Sequence, residues 1–135
     1  MRDMANIMIV DDCENVRSSL RRVMEHNNHE VICEAENGVI ALDLYDTYKP
    51  DIVTMDIAMK NGNGLSAIKK ILNHDPEARI VVISALNDEF TIREALKSGV
   101  LSFLVKPPDL ENVVKTIENI VRIPRNEIRE HNNRL

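Results

Sequence analysis

Tryptophan is absent, and tyrosine and phenylalanine contribute only two residues each to a chain of 135. Base-stacking platforms and aromatic cages need more rings than that. Positive charge is also scarce: 17 Lys and Arg stand against 22 Asp and Glu, for a net charge of -5. A protein that grips nucleic acid through phosphates shows a basic face instead, so direct nucleic-acid binding is not expected. No apolar run approaches the ~20 residues that span a bilayer, and no membrane association is expected. Cysteine occurs twice, at Cys13 and Cys33, too rarely for a disulfide scaffold. Free thiols suit a reducing cytoplasm, and Asp11 and Asp12 arrive too early for a secretory leader, so the cytoplasm is the expected location. The histidines His26, His29, His74 and His131 lack metal-ligand spacing. His26 and His29 fall in the polar stretch Glu25-His26-Asn27-Asn28-His29, which predicts a solvated turn.

What is present is a chain that is 44% hydrophobic and 29% charged, long enough for one domain with a real core. Its rhythm is strand, helix, strand, helix. Ile7-Met8-Ile9-Val10 is an unbroken apolar run, the mark of a strand covered on both faces. Val16, Leu20, Val23 and Met24 recur at helical spacing up to an Asn27-Asn28 turn. Glu30 to Ala35 is flanked by charge and predicts an edge strand. Asn37-Gly38 opens a second helix with Ala41, Leu42, Leu44, Tyr45 and Tyr48, stopped at Lys49-Pro50. Asp51 to Met55 is the third strand, followed by Asp56 and a loop with Gly62 and Gly64. Leu65, Ile68, Ile71 and Leu72 mark a third helix, and Ile80-Val81-Val82-Ile83 a fourth strand. A helix from Asp88 to Ser98 ends on Gly99. Leu101 to Val105 is the fifth strand, and Asp109 caps a helix bearing Leu110, Val113, Val114, Ile117, Ile120 and Val121.

Five alternating pairs imply an α/β fold: a doubly wound (βα)5, flavodoxin-like parallel sheet of strand order 2-1-3-4-5. The folded domain is expected over residues 1–123. Pro124 breaks the chain, and residues 124–135 are expected to form a solvated tail, a short surface helix or a linker stub. From Arg122 onward four Arg and two Glu give a balance of +2, leaving -7 on the body.

In such a sheet, ligands bind beyond the carboxyl ends of the strands where the strand order reverses. Strand one ends in Asp11-Asp12, strand three in Asp56, strand four in Ser84 and strand five in Lys106. One like-charge pair at ~4 Å and an effective dielectric of ~20 costs about 4 kcal/mol, so three crowded carboxylates retain a proton or hold a cation. Oxygen ligands with open positions suit Mg²⁺, which keeps waters and bridges to phosphate. Adding a lysine and a hydroxyl suits a group that gains negative charge, such as a phosphoryl group. Helix capping explains Asp12 at most, and leaves Asp56 and Lys106 unexplained.

With these residues in place the chain resembles a response-regulator receiver domain of the single-domain chemotaxis (CheY-like) type, over about residues 5 to 121. The resemblance lies in Ile9-Val10-Asp11-Asp12, Glu34-Ala35-Glu36-Asn37-Gly38, Lys49 through Asp56, Val82-Ile83-Ser84-Ala85 and Val105-Lys106-Pro107, in that order. It implies that Asp56 accepts a phosphoryl group from the phosphohistidine of a histidine kinase. It implies Mg²⁺ held by Asp12, Asp56 and the Ala58 carbonyl, with Asp11 acting mostly through water. Lys106 then contacts the aspartyl phosphate, Ser84 turns toward it, and Phe103 swings into the vacated space. Helix four, strand five and helix five form the surface for a downstream protein. The Lys106-Pro107 bond is expected to be cis. The protein is then a phosphoacceptor switch rather than an enzyme with a separate substrate.

The chain departs from the family in places. Lys60 stands where proline is common four residues after the acceptor. Ala58 and Leu86 offer no side-chain group to orient a hydrolytic water, so no strong self-dephosphorylation is expected. Phe103 replaces a common tyrosine. Two other assignments compete. One is a receiver cut from a longer DNA-binding transcription factor or output enzyme. The other is a Mg²⁺-dependent phosphatase of the haloacid-dehalogenase type, which would want an acid where Ala58 stands.

Overall fold

The computed structural model describes residues 4–60 and 64–129. Strands β1 (Asn6–Val10), β2 (Glu30–Ala35), β3 (Ile52–Met55), β4 (Ile80–Ser84) and β5 (Ser102–Val105) alternate with helices α1 (Glu14–His26), α2 (Ala41–Tyr48), α3 (Gly64–His74), α4 (Glu89–Ser98) and α5 (Leu110–Val121). The five strands form one sheet in the order β2-β1-β3-β4-β5. Every pairing is parallel. The expected α/β architecture and strand order are therefore observed.

Period-two alternation sorts the central strands between two cores. Ile7 and Ile9 of β1, with Ile52, Val81 and Ile83, join Leu20 and Met24 of α1 and Val113 and Ile117 of α5. Met8 and Val10, with Val53, Met55 and Val82, join Tyr45 of α2, Ile68 and Ile71 of α3 and Ala95 of α4. Burying one such aliphatic side chain stabilises the fold by about 1.5–3 kcal/mol. Central strands β1, β3 and β4 are apolar because both faces are covered. β2 is the mixed edge that its flanking charges predict.

Local signals account for most boundaries. Asp88 caps α4 by accepting from the Thr91 N–H, and Gly99 ends it at φ 115. Asp109 caps α5 by accepting from the Glu111 and Asn112 N–H groups. α2 begins at Ala41, later than expected, because the Asn37 side chain accepts from the Val39 and Ile40 N–H groups and turns the chain first.

The capping alternative for Asp12 falls away: the capping position of α1 is Cys13, which makes no side-chain cap bond. Two expectations need correction. His29 is not solvated. Asn28 at φ 68 turns the chain under the sheet and buries His29. There Nδ1 accepts from the Ala5 N–H at 3.0 Å, and Nε2 lies 3.0 Å from a Glu118 carboxylate oxygen. With Nδ1 accepting, the ring proton sits on Nε2 and is donated to Glu118. The segment after Pro124 is also more than a solvated tail. Arg125–Glu127 form a 3-10 turn that delivers Ile128, fully buried, into the α1/α5 core. Arg125 adds an ion pair to Asp75 at 2.8 Å. Gly62, and the end of the chain including His131, lie outside the described residues.

Candidate functional site

β1 and β3 end side by side, with Val10 in register with Met55, so the residues that follow each strand meet. Asp11, Asp12 and Asp56 each place a carboxylate oxygen within 4.8 Å of the others. Asp11 and Asp56 are 2% and 3% exposed, while Asp12 is half-buried. Backbone bonds hold the two buried acids at their strand ends. The Asp56 N–H donates to the Val10 carbonyl at 2.9 Å, and the Asp11 N–H to that of Ala35 at 3.0 Å.

The side chains are aimed by short turns. Asp11 Oδ1 accepts from the Cys13 N–H at 2.9 Å, and Asp56 Oδ1 from the Ala58 N–H at 3.0 Å. That leaves the second oxygen of each for Lys106. Its Nζ donates to Asp11 Oδ2 at 2.7 Å and to Asp56 Oδ2 at 3.2 Å. Burial pulls the Lys106 ammonium pKa down, but the hydrogen bond and charge of Asp11, with Asp56, outweigh it and hold the pKa above its ordinary value. Asp12 Oδ2 accepts from the Lys60 N–H at 3.2 Å. A proline at that position has no N–H to give, so Lys60 supplies a backbone tether. Its own side chain is exposed rather than packed into the pocket.

Close packing reaches up to α3. A Cβ on Gly64 would lie 2.4 Å from the Asp56 carbonyl oxygen and 2.5 Å from Ile57 Cα. Glycine there lets α3 start directly against the exit of β3.

Not every expected residue touches the acids. Ser84 is fully buried on β4, and its hydroxyl accepts from the Leu86 N–H at 3.1 Å. Phe103 is in register with Val82 and packs, half-buried, against the core on the α2–α4 side. Ala58 is exposed beside the pocket. The Lys106-Pro107 bond is cis, as expected. One contact escapes any reading of local pattern: Arg17 of α1 donates to the Asp11 carbonyl at 2.6 Å. Its only sequence signal is an arginine one turn into a helix that follows an acidic pair.

Three carboxylates facing one ammonium leave a surplus of negative charge in an all-oxygen hollow. That donor set fits a hard divalent cation. The family model described as the response regulator receiver domain matches residues 7–118. The chain belongs to the response regulator receiver domain family. It is a receiver domain of two-component signal transduction. It is 41% identical over 114 residues to the chemotaxis protein CheY of Thermotoga maritima, covering 84% of this chain and 95% of that one. Against CheY of Listeria monocytogenes the identity is 36% over 119 residues, covering 88% and 100%. Among solved structures, the response regulator domain of Thermotoga maritima CheB superposes with a TM-score of 0.81 at 28% identity, covering 90% of this receiver and 98% of that chain. A CheX-CheY-BeF3-Mg complex from Borrelia burgdorferi gives 0.80 at 30% identity, covering 88% and 90%. No helix among the described residues is long and apolar enough to cross a membrane.

Proposed function

We propose that this receiver domain is a Mg²⁺-dependent phosphoacceptor switch that takes its phosphoryl group on Asp56. The observation that carries the proposal is the Asp56 carboxylate, buried at the meeting point of two other acids and Lys106. The donor is the phosphohistidine of a histidine kinase. A lone pair on the Asp56 carboxylate forms the new O–P bond as the P–N bond breaks, and the imidazole leaves with that electron pair. Phosphoryl transfer needs positioning and neutralisation more than covalent help. The Ala58 N–H orients the carboxylate, and Lys106 stands ready for the charge that arrives.

Asp11, Asp12, Asp56 and the Ala58 carbonyl would hold the Mg²⁺. When bound, the ion offsets the surplus of carboxylate charge and that of the incoming phosphoryl oxygens. The Mg²⁺ named in the Borrelia CheY complex supports a magnesium-dependent reading.

The readout begins at Ser84. Its hydroxyl now satisfies the Leu86 N–H, two residues ahead of the Asp88 cap of α4. Turning that hydroxyl toward a phosphate releases the Leu86 N–H and biases the loop into α4. Phe103 on β5 repacks toward the vacated space. The face of α4, β5 and α5, where Phe90 and Val105 are exposed, then meets a downstream protein. This is a population shift driven by differential contacts with the phosphate. Ala58 and Leu86 offer no polar side chain to guide a hydrolytic water, so no strong self-dephosphorylation is expected. The protein acts as a switch and not as an enzyme on a separate substrate. The CheY relatives favour a chemotaxis-type pathway with a downstream protein partner.

The test is treatment with a small acyl phosphate, with Mg²⁺ or with chelator, followed by mass mapping. One phosphate is expected on Asp56, suppressed by chelation and absent in Asp56→Asn. A label that persists in that variant overturns the assignment.

A further inference from the structure

Each polar atom of Asp11 has a named partner: its N–H meets Ala35, its two carboxylate oxygens meet Cys13 and Lys106, and its carbonyl meets Arg17. The carbonyl is the informative one. It belongs to the peptide that joins Asp11 to Asp12, so whatever holds it sets the direction in which the second acid leaves the strand. Asp12 is otherwise tied by the 3.2 Å bond from the Lys60 N–H.

Arg17 is itself fixed. Its Nε donates to Glu34 Oε1 at 3.1 Å, while its Nη1 donates to the Asp11 carbonyl at 2.6 Å. Glu34 lies on edge strand β2, and Arg21 grips its other oxygen through Nε at 2.7 Å and Nη2 at 2.6 Å. The Arg17 side chain is 16% exposed, so its bonds are sheltered from competing water. The planar fork of a guanidinium aims its donors at the carboxylate and the carbonyl in fixed directions, a pre-organisation that lysine's rotating ammonium lacks. A purely structural α1–β2 ion pair needs only Arg21 and Glu34. The additional reach of Arg17 to the Asp11 carbonyl serves the acid pair.

We propose that Arg17, clamped by Glu34, is a positioning residue that orients the Asp11-Asp12 peptide for divalent-cation binding. This rests on the phosphoacceptor role proposed for the same pocket. Groups that orient metal ligands typically change metal affinity about 10–100-fold when removed.

The test is Mg²⁺ titration of the full chain by calorimetry, with phosphorylation by a small acyl phosphate measured across the same Mg²⁺ range. Arg17→Ala is expected to weaken Mg²⁺ binding about tenfold, with phosphorylation recovering at high Mg²⁺. Arg17→Lys, having no fork, is expected to stay close to Arg17→Ala. Arg21→Ala disturbs the same α1–β2 surface but spares the Arg17–Asp11 bond, and is expected to shift Mg²⁺ affinity less than about twofold, well below the range for ligand-orienting groups. Unchanged Mg²⁺ affinity in folded Arg17→Ala, or an equal loss in Arg21→Ala, overturns the proposal. If the unsubstituted protein binds Mg²⁺ but takes no phosphate on Asp56, the phosphoacceptor role fails, while the titrations still judge Arg17.

Discussion

The two ends of the sheet are both polar and both partly buried, yet they are built on opposite plans. At the amino end most polar groups close on partners, the buried Nε of Arg79 being an exception among the described residues. Tyr45 donates to Asp75 at 2.7 Å, Arg125 pairs with the other Asp75 oxygen, and His29 sits between the Ala5 N–H and Glu118. Asp51 accepts from the Asn6 N–H, and Arg79 donates to the Ile123 carbonyl. At the carboxyl end, three acids crowd together and the one lysine pairs with two of them, Asp11 and Asp56. A balanced polar cluster fastens elements together, whereas an unbalanced one stores repulsion that a ligand can relieve.

The sharpest way to break this comparison is at Ile128, the apolar pin of the amino end. Ile128→Ala removes a fully buried side chain and is expected to lower unfolding free energy by about 2–5 kcal/mol. Denaturant melts check this, and phosphate acceptance on Asp56 should persist below the new midpoint. A loss under about 0.5 kcal/mol would show that the C-terminal turn does not brace the core.

The carboxyl end should respond with the opposite sign. Asp56→Asn removes one like charge while Lys106 keeps Asp11, so in chelator and low salt it is expected to stabilise the fold by about 1–2 kcal/mol. Added Mg²⁺ should stabilise the unsubstituted protein more than the variant. Destabilisation by Asp56→Asn would mean that the Lys106 pairing outweighs the repulsion.

Asp75→Asn tests closure at the amino end through its pH dependence. Burial raises the Asp75 pKa, but the bonds from Tyr45, Arg125 and the Glu77 N–H outweigh it and hold it below its ordinary value. A depressed carboxylate pKa stabilises the fold above the unfolded-state value near ~3.9, and that contribution fades as pH falls through the lower folded value. The variant should therefore be about 1 kcal/mol less stable at pH 7, with the gap narrowing below about pH 4 in thermal melts. A gap that does not change with pH would put the effect in lost packing rather than charge.

Neither end is touched by Arg93→Ala. Arg93 pairs with Glu89 on the exposed face of α4, with side chains 67% and 85% exposed. The expected change is below about 0.5 kcal/mol. A larger effect would show that helix-surface pairs matter here as much as buried ones.

Much of this was legible in the chain because strand ends are marked by where apolar runs stop. Ile9-Val10 stops at Asp11, Ile52 to Met55 at Asp56, and Ile80 to Ile83 at Ser84, so the parallel topology alone brings those residues to one rim. The α2 start was misplaced because Asn37 bonds to its own following backbone, a local competition that Asn37-Gly38 does not distinguish from a helix opening. His29 and Ile128 escape local pattern for a different reason. Their polar or sparse neighbours describe only the local segment, while their partners lie far away in the chain, Glu118 being 89 residues from His29.

The sequence by itself determined the alternation of elements, the two-faced sheet and the identity of the acids at its rim. Those follow from periodicity and from where apolar runs end, which are local properties. Only the tertiary structure decided that Lys106 spans Asp11 and Asp56, that Arg17 holds the peptide between Asp11 and Asp12, and that the turn Arg125–Glu127 seats Ile128 in the core at the opposite end. Those depend on which distant side chains the crossovers bring within hydrogen-bond reach, and on which charges are left without a counterpart once the water is gone.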